Sequence, residues 1–218
     1  TDHGGGVIWI DYDNDDLPDL FMTNGTGFDC HFFRNEGDGT FSNQDHLLPV
    51  IDPGLELTHA NFADYDNDGD QDIYVSATKR MLGPDGPANL LLKNLWVENG
   101  GGTVPGQPLF EDVAAAAGVD NLASPPLGPL PGYGTYTGGW LDYDRDGCVD
   151  LYVGNLVFDD GGEVTNTNAL YKNNCDGTFT NVHAAAGLEA GGTDWLRPTL
   201  AFAAGHLNND LFPDLYVV

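Results

Sequence analysis

The segment DYDNDDLPD at 11–19 returns as DYDNDGDQD at 64–72, DYDRDGCVD at 142–150 and HLNNDLFPD at 206–214, at intervals of 53, 78 and 64 residues. Each copy runs straight into a strand-forming stretch: Leu-Phe, Ile-Tyr-Val and twice Leu-Tyr-Val. A pattern that recurs at such intervals means a repeat architecture, which restricts the chain to folds built from stacked copies of one unit. Carboxylates this close together repel one another unless a cation lies between them. A turn glycine at Gly69 or Gly147 with hard oxygen donors around one point is what calcium prefers.

The expected ligands are the first, third, fifth and ninth side chains and the backbone carbonyl of the seventh residue. They are Asp11, Asp13, Asp15, Leu17 and Asp19 in the first loop, and Asp64, Asp66, Asp68, Asp70 and Asp72 in the second. The third loop offers Asp142, Asp144, Asp146, Cys148 and Asp150. The Asp70 carboxylate is expected to point elsewhere. In the fourth loop Asn208, Asp210 and Asp214 remain, but His206 and Asn208 replace two carboxylates and Leu211 replaces the glycine, so that site is expected to be weak or empty. Asp16 stands where the first loop would have glycine, a residue that visits the left-handed region more readily than most. An EF-hand is excluded as the source of the pattern. Its loop ends on a bidentate Glu at position twelve between two helices, where this chain has Met22, Val75, Val153 and Val217.

After each of the first three loops comes a second element: FFRNEGDGTF at 32–41, a longer version at 91–110, and LYKNNCDGTF at 170–179. Apolar strand, Asn-to-Gly turn and aromatic strand make a hairpin. The basic residue in each, Arg34, Lys93 or Lys172, is read as an exposed strand position of no consequence, with neutralisation of nearby acids as the alternative. Alanine-rich single turns follow at 111–119 and 180–188, closed by Gly118 and Gly187. Short apolar stretches precede every loop. One period is therefore strand, acidic loop, strand, hairpin, and four short antiparallel strands describe a propeller blade.

These residues resemble the FG-GAP/VCBS repeat of integrin alpha-chain propellers. D-x-D-x-D-G-x-x-D-[LI]-[YF]-V is paired with N-x-L-[YF]-[KR]-N-x-x-x-G-x-F, and the resemblance is closest to the bacterial secreted branch of cartilage acidic protein-like proteins with ASPIC/UnbV regions. The Phe-Gly and Gly-Ala-Pro signatures that name the repeat are not recognisable. The resemblance implies an all-β fold, a β-propeller of four-stranded antiparallel blades whose strand-to-strand loops bind calcium. The periods fall at about 1–52, 53–130, 131–194 and, in part, 195–218. Three and a half of them are read as a piece of a larger propeller, with a small closed ring or an open array completed by neighbouring subunits as alternatives.

Of 218 residues 34 are acidic and 7 basic, a net charge of −27, and the four loops hold 16 of the acids. Such a surface argues against nucleic acid and against direct docking on anionic lipid. No run of 18 apolar residues exists, so insertion into a membrane is not expected. The low Lys and Arg with abundant Asp and Gly fits an extracellular or cell-surface protein of bacterial type. Cys148 and Cys175 are placed to clip the third loop to its hairpin, leaving Cys30 over; three unrelated thiols is the alternative. Asn24 opens an N-x-T triplet. No nucleophile elbow, zinc-protease helix, phosphate loop or haem-attachment motif is present, so an enzyme is not expected. The expected role is an adhesion, binding or assembly module with calcium in a structural role, the alternatives being a structural subunit of an extracellular filament or surface layer and the propeller of a polysaccharide-active enzyme. The partners expected are a protein or glycan ligand, or neighbouring copies of the chain.

Overall fold

The computed structural model describes residues 5–25, 29–78, 88–120, 134–156, 168–188, 199, 201–208 and 210–217. The first strand group is β1 (Val7–Ile10), β2 (Asp19–Met22), β3 (His31–Asn35) and β4 (Phe41–Asn43), paired antiparallel in chain order. The second is β5 (Glu56–Ala63), β6 (Asp72–Thr78), β7 (Leu90–Asn94) and β8 (Phe110–Asp112), and the third β9 (Gly134–Leu141), β10 (Asp150–Leu156), β11 (Ala169–Asn173) and β12 (Phe179–Asn181). A last pair, β13 (Phe202–Gly205) and β14 (Asp214–Val217), repeats the beginning of the unit. The protein is all-β apart from single helical turns such as α1 (Ala114–Ala117), which ends on Gly118 at φ +78°. The strand groups stack as the blades of a partial β-propeller.

Each acidic loop links the first two strands of its group, with its ninth residue opening the second strand: Asp19, Asp72, Asp150 and Asp214. The register places Ile10 opposite Asp19, Ala63 opposite Asp72 and Leu141 opposite Asp150, so the three complete groups present their loops at the same end.

Alternation along the strands gives every group two apolar faces, and consecutive groups bury them against each other. The trailing face of the first group (Ile10, Tyr12, Phe21, Phe32) meets the leading face of the second (Ile73, Val75, Leu92, Phe110). The trailing face of the second (Tyr65, Tyr74, Leu91) meets the leading face of the third (Leu151, Val153, Tyr171, Phe179). Leu141, Tyr152 and Leu170 then pack with Phe202 and Leu215 of the last pair. Burying such side chains contributes about 1.5–3 kcal/mol each, so the repeat interfaces hold most of the hydrophobic stabilisation.

The second and third four-stranded groups also touch edge to edge at one point. Thr78 pairs with Gly134, so β6 and β9 join them into one eight-stranded sheet. The junction needs the glycine: a Cβ at Gly134 would lie 2.6 Å from the Thr78 Cα. Cys148 and Cys175 are bonded, with Cα atoms 5.8 Å apart, tying the third loop to the hairpin turn of its group; Cys30 is a buried free thiol. Closure of a loop of this length contributes about 3 kcal/mol. Asn24 is described but Thr26 of its triplet lies outside the described residues.

Candidate functional site

The three acidic loops share one internal bonding scheme. The first aspartate accepts two backbone N–H groups, those of the fifth and sixth residues: Asp11 from Asp15 and Asp16, Asp64 from Asp68 and Gly69, Asp142 from Asp146 and Gly147, all at 3.0–3.1 Å. The fifth aspartate accepts from the seventh residue, so Asp15, Asp68 and Asp146 hold the N–H groups of Leu17, Asp70 and Cys148. These bonds curl the chain around its own carboxylates. The sixth residue must take positive φ, and Gly69 and Gly147 do so at +101° and +92°; Asp16 manages +66°.

The ninth aspartate closes the loop from the strand side. Asp19 accepts from Tyr12 and Asn35, Asp72 from Tyr65 and Asn94, Asp150 from Tyr143 and Asn173. All three carboxylates are fully buried. Burial pushes Asp72 up to about 8, and Asp19 and Asp150 up to about 6, although the two N–H donors on each pull the other way. Ionising them in this setting is therefore costly unless positive charge is brought close.

The third aspartate is different. One buried oxygen of each, Oδ1 of Asp13, Asp66 and Asp144, has no hydrogen-bond partner. The same atom is orphaned in three loops whose other carboxylate oxygens are largely occupied. A buried carboxylate oxygen without a donor calls for a cation or water. Carboxylate oxygens of Asp11, Asp13 and Asp15, of Asp64, Asp66 and Asp72, and of Asp142, Asp144 and Asp150 lie within 4.8 Å of one another, a spacing at which one ion can touch all three. All-oxygen donor sets of this kind fit calcium.

The sequence reading placed Asp15, Asp68 and Asp146 among the ligands as well, and only Asp15 falls in the tight cluster of its own loop; Asp68 groups instead with Asp66 and Glu98. Glu98 was not anticipated, because it comes from the lengthened middle hairpin. Asp70 points away, accepting from the Val97 N–H, and burial pushes it up to about 7. Leu17, Asp70 and Cys148 stand at the seventh position of the curl in each loop. Asp146, Cys148 and Cys175 also come together, but both sulfurs are consumed by the disulfide, so no thiolate is on offer.

In the fourth loop the bonding changes. Asn208 turns its amide toward Asp214, donating at 3.1 Å, and Asp214 also accepts from Leu207 N–H. His206 Nδ1 lies 3.0 Å from the Phe212 carbonyl, and Leu211 takes φ +75° where the second and third loops have glycine. Asp210 accepts from Phe212.

The basic slot corrects the sequence reading outright. Arg34 reaches Asp13 at 2.9 Å and Asp15 at 2.6 Å, Lys93 reaches Asp66, Asp68 and Glu98, and Lys172 reaches Asp144 and Asp146. The slot lies one residue before Asn35, Asn94 and Asn173, whose N–H groups bind the ninth aspartate, so its side chain is aimed at the loop. The carboxylates in turn hold all three cations above their ordinary pKa. The slot therefore brings one positive charge to each loop against its four or five acids, and the third loop also contains Arg145.

The asparagines of the same hairpins bind between groups. Asn94 Nδ2 donates to the Tyr12 carbonyl of the first loop at 2.8 Å, and Asn173 Nδ2 to the Tyr65 carbonyl of the second at 2.7 Å. Asn14 and Asn67 reach forward to the carbonyls of Gly69 and Gly147. The acidic loops thus form a bonded row along one end of the stack.

Residues 4–75, which run from just before β1 into β6, match the FG-GAP-like repeat. A comparison with curated proteins gives no match.

Proposed function

From the match of residues 4–75 to the FG-GAP-like repeat, we propose that this chain is a calcium-stabilised propeller module of an extracellular or cell-surface protein. Its first three loops hold one calcium ion each, and its outer surfaces present themselves to a protein or glycan ligand or to further copies of the chain. The observation that carries this reading is the orphaned Oδ1 of the third aspartate, repeated in Asp13, Asp66 and Asp144. Calcium would be held by the carboxylates of the loops, with the seventh-position carbonyls completing the set, and would supply charge neutralisation and cross-linking of the loop.

The ion is structural in this reading. A calcium switch needs an element with two arrangements, whereas these loops are pinned by the buried ninth aspartate, which binds the N–H groups of the second loop residue and of the hairpin asparagine, and are tied to their neighbours by Asn94 and Asn173. Catalysis is not part of the proposal, since the clustered carboxylates converge on one another rather than on a cleft. The acidic balance of the chain suits calcium-rich surroundings and disfavours nucleic acid.

A site at ten times its dissociation constant adds about 1.4 kcal/mol, so three add about 4 kcal/mol. Against typical domain stabilities of about 5–15 kcal/mol this is decisive. Thermal unfolding in excess calcium and in excess chelator tests it. The melting temperature should drop sharply on chelation and recover with calcium but not with equimolar sodium; an unchanged melt in chelator would sink the proposal.

A further inference from the structure

The seventh residue of each acidic loop is held from two sides. Its N–H group lies on the fifth aspartate at 2.9–3.2 Å. Its side chain reaches the turn of the hairpin in its own group, by a different chemistry in each loop. Leu17 packs over Gly37 so closely that a Cβ there would lie 3.0 Å from Leu17 Cδ1. Asp70 Oδ2 accepts from the Val97 N–H at 2.9 Å. Cys148 is bonded to Cys175.

The hairpin end of this strut is fixed as well. Gly37, Trp96 and Cys175 occupy one slot, two residues after the hairpin asparagine, with Val97 next to it. The Oδ1 atoms of Asn35, Asn94 and Asn173 accept the N–H groups of that slot at 2.9–3.0 Å. The backbone N–H of each asparagine lies on the ninth aspartate at 2.8 Å. A closed circuit results: fifth aspartate, seventh residue, hairpin turn, asparagine, ninth aspartate. Both aspartates of the circuit are expected calcium ligands. The two aspartates and the asparagine are the same in all three groups, and only the seventh side chain and what it meets differ.

The third loop shows what its link is for. Cys175 takes φ +59° in the slot where Gly37 takes +73°. Glycine adopts this conformation without steric cost and cysteine does not, so the turn by itself would favour glycine. A cysteine there answers a demand for the bond.

We propose that the seventh side chain is a positioning residue of the calcium site, and that in the third loop it acts through the Cys148–Cys175 bond, which sets the calcium affinity of that loop. The inference rests on the calcium reading and deepens it by giving the third site a dependence on thiol reductants that the first two lack. Cys148 is buried and Cys175 exposed, so an attacking thiolate reaches the Cys175 sulfur. A dithiol such as dithiothreitol delivers two electrons and two protons, leaving two cysteine thiols and closing to its own cyclic disulfide. The loop side of the circuit then keeps only the bond from the Cys148 N–H to Asp146, and the orientation of that carboxylate and of the Cys148 carbonyl is no longer fixed from the hairpin.

The Gly69 and Gly147 N–H groups lie on the first aspartates of the second and third loops, so their amide resonances report on the two sites separately. Calcium titrations followed by amide NMR, with and without dithiothreitol, are the test. Reduction should raise the calcium midpoint at Gly147 by about tenfold, the low end of what losing a group that orients a metal ligand does. The midpoint at Gly69 should stay where it is. Cys148→Ala combined with Cys175→Gly should match the reduced protein in either buffer. Cys148→Leu combined with Cys175→Gly copies Leu17 over Gly37, and should recover affinity at Gly147 and ignore the reductant. A disulfide that only stabilises the fold would lower the melting temperature on reduction and leave the ratio of the two midpoints unchanged, which overturns the proposal. Equal weakening at both glycines does the same, and so do equal Gly147 midpoints in the Ala and Leu variants, a comparison that needs no reductant. If neither glycine responds to calcium in the oxidised protein, the calcium reading falls and this inference with it; a response at both that reduction leaves unmoved sinks the inference alone.

Discussion

Lys93 shows how a single side chain takes opposite roles with and without an ion. Its ammonium sits among Asp66, Asp68 and Glu98, two of which are expected ligands. In the absence of calcium it is the only positive charge among the described residues in contact with that loop, and it lowers the repulsion between carboxylates that the fold has gathered. With calcium present it repels the ion and occupies oxygens the ion would use. Lys93→Met should therefore raise calcium affinity by about fivefold, equivalent to about 1 kcal/mol for a partly screened charge. The same change should lower stability in chelator. Isothermal titration and paired melts read the two signs; a variant that loses affinity would show that the lysine organises the site instead of competing for it. Nothing in the sequence around Lys93 marks it out. The role depends on the pairing of β7 with β6, which brings residue 93 against the loop that holds residues 66 and 68, and an isolated basic residue on a strand more often faces water.

At the scale of the element, the acidic loops behave as cross-links rather than as connections. The side-chain amide nitrogens of Asn94 and Asn173 each donate twice, once within their own group to the Gln71 or Val149 carbonyl and once to the preceding loop. Both are fully buried. Removing such a donor leaves two carbonyls short of a partner, at about 1–3 kcal/mol. Asn94→Ala and Asn173→Ala should each cost that much in urea unfolding, whereas Asn35→Ala, whose amide bonds only its own exposed turn at Pro18, should cost less than about 0.5 kcal/mol. Equal costs at all three positions would contradict the cross-linking role. The strand–loop–strand unit and its hairpin were readable in the sequence because their signals are local: alternating apolar residues, turn glycines and the nine-residue spacing. The links between groups were not. Asn173 and Tyr65 are 108 residues apart, and only the stacking of groups brings them together. The Thr78–Gly134 junction escaped for the same reason, since a single pair of residues carries it. Glu98 escaped because the middle hairpin is longer than its relatives.

At the scale of the whole molecule, charge and burial oppose one another, and pH exposes the conflict. The chain carries a net charge of −27, and in each of the first three loops it also buries an aspartate, Asp19, Asp72 or Asp150, whose pKa burial has raised to about 6, 8 and 6. In the unfolded chain these groups titrate near 4. Between about pH 4 and pH 8 the folded protein without metal therefore holds protons that the unfolded chain has released, so its stability is full at the acidic end and is lost as pH rises through 6 and then 8. His59, which burial holds below its ordinary value, acts with the opposite sign and trims stability only as pH falls toward the acidic end. With calcium the sign reverses, because the ion binds ionised carboxylates and its contribution grows as protons leave. The gap between the melting temperatures in calcium and in chelator should thus widen from about pH 5.5 to about pH 8, with the chelator series falling. Calorimetry at three pH values in each buffer measures both trends. Added monovalent salt should raise the chelator series by screening the acidic loops and leave the calcium series nearly unmoved. A chelator series that rises with pH would mean that the buried aspartates are satisfied as anions by their N–H donors alone, and that the fold needs no ion to complete its loops.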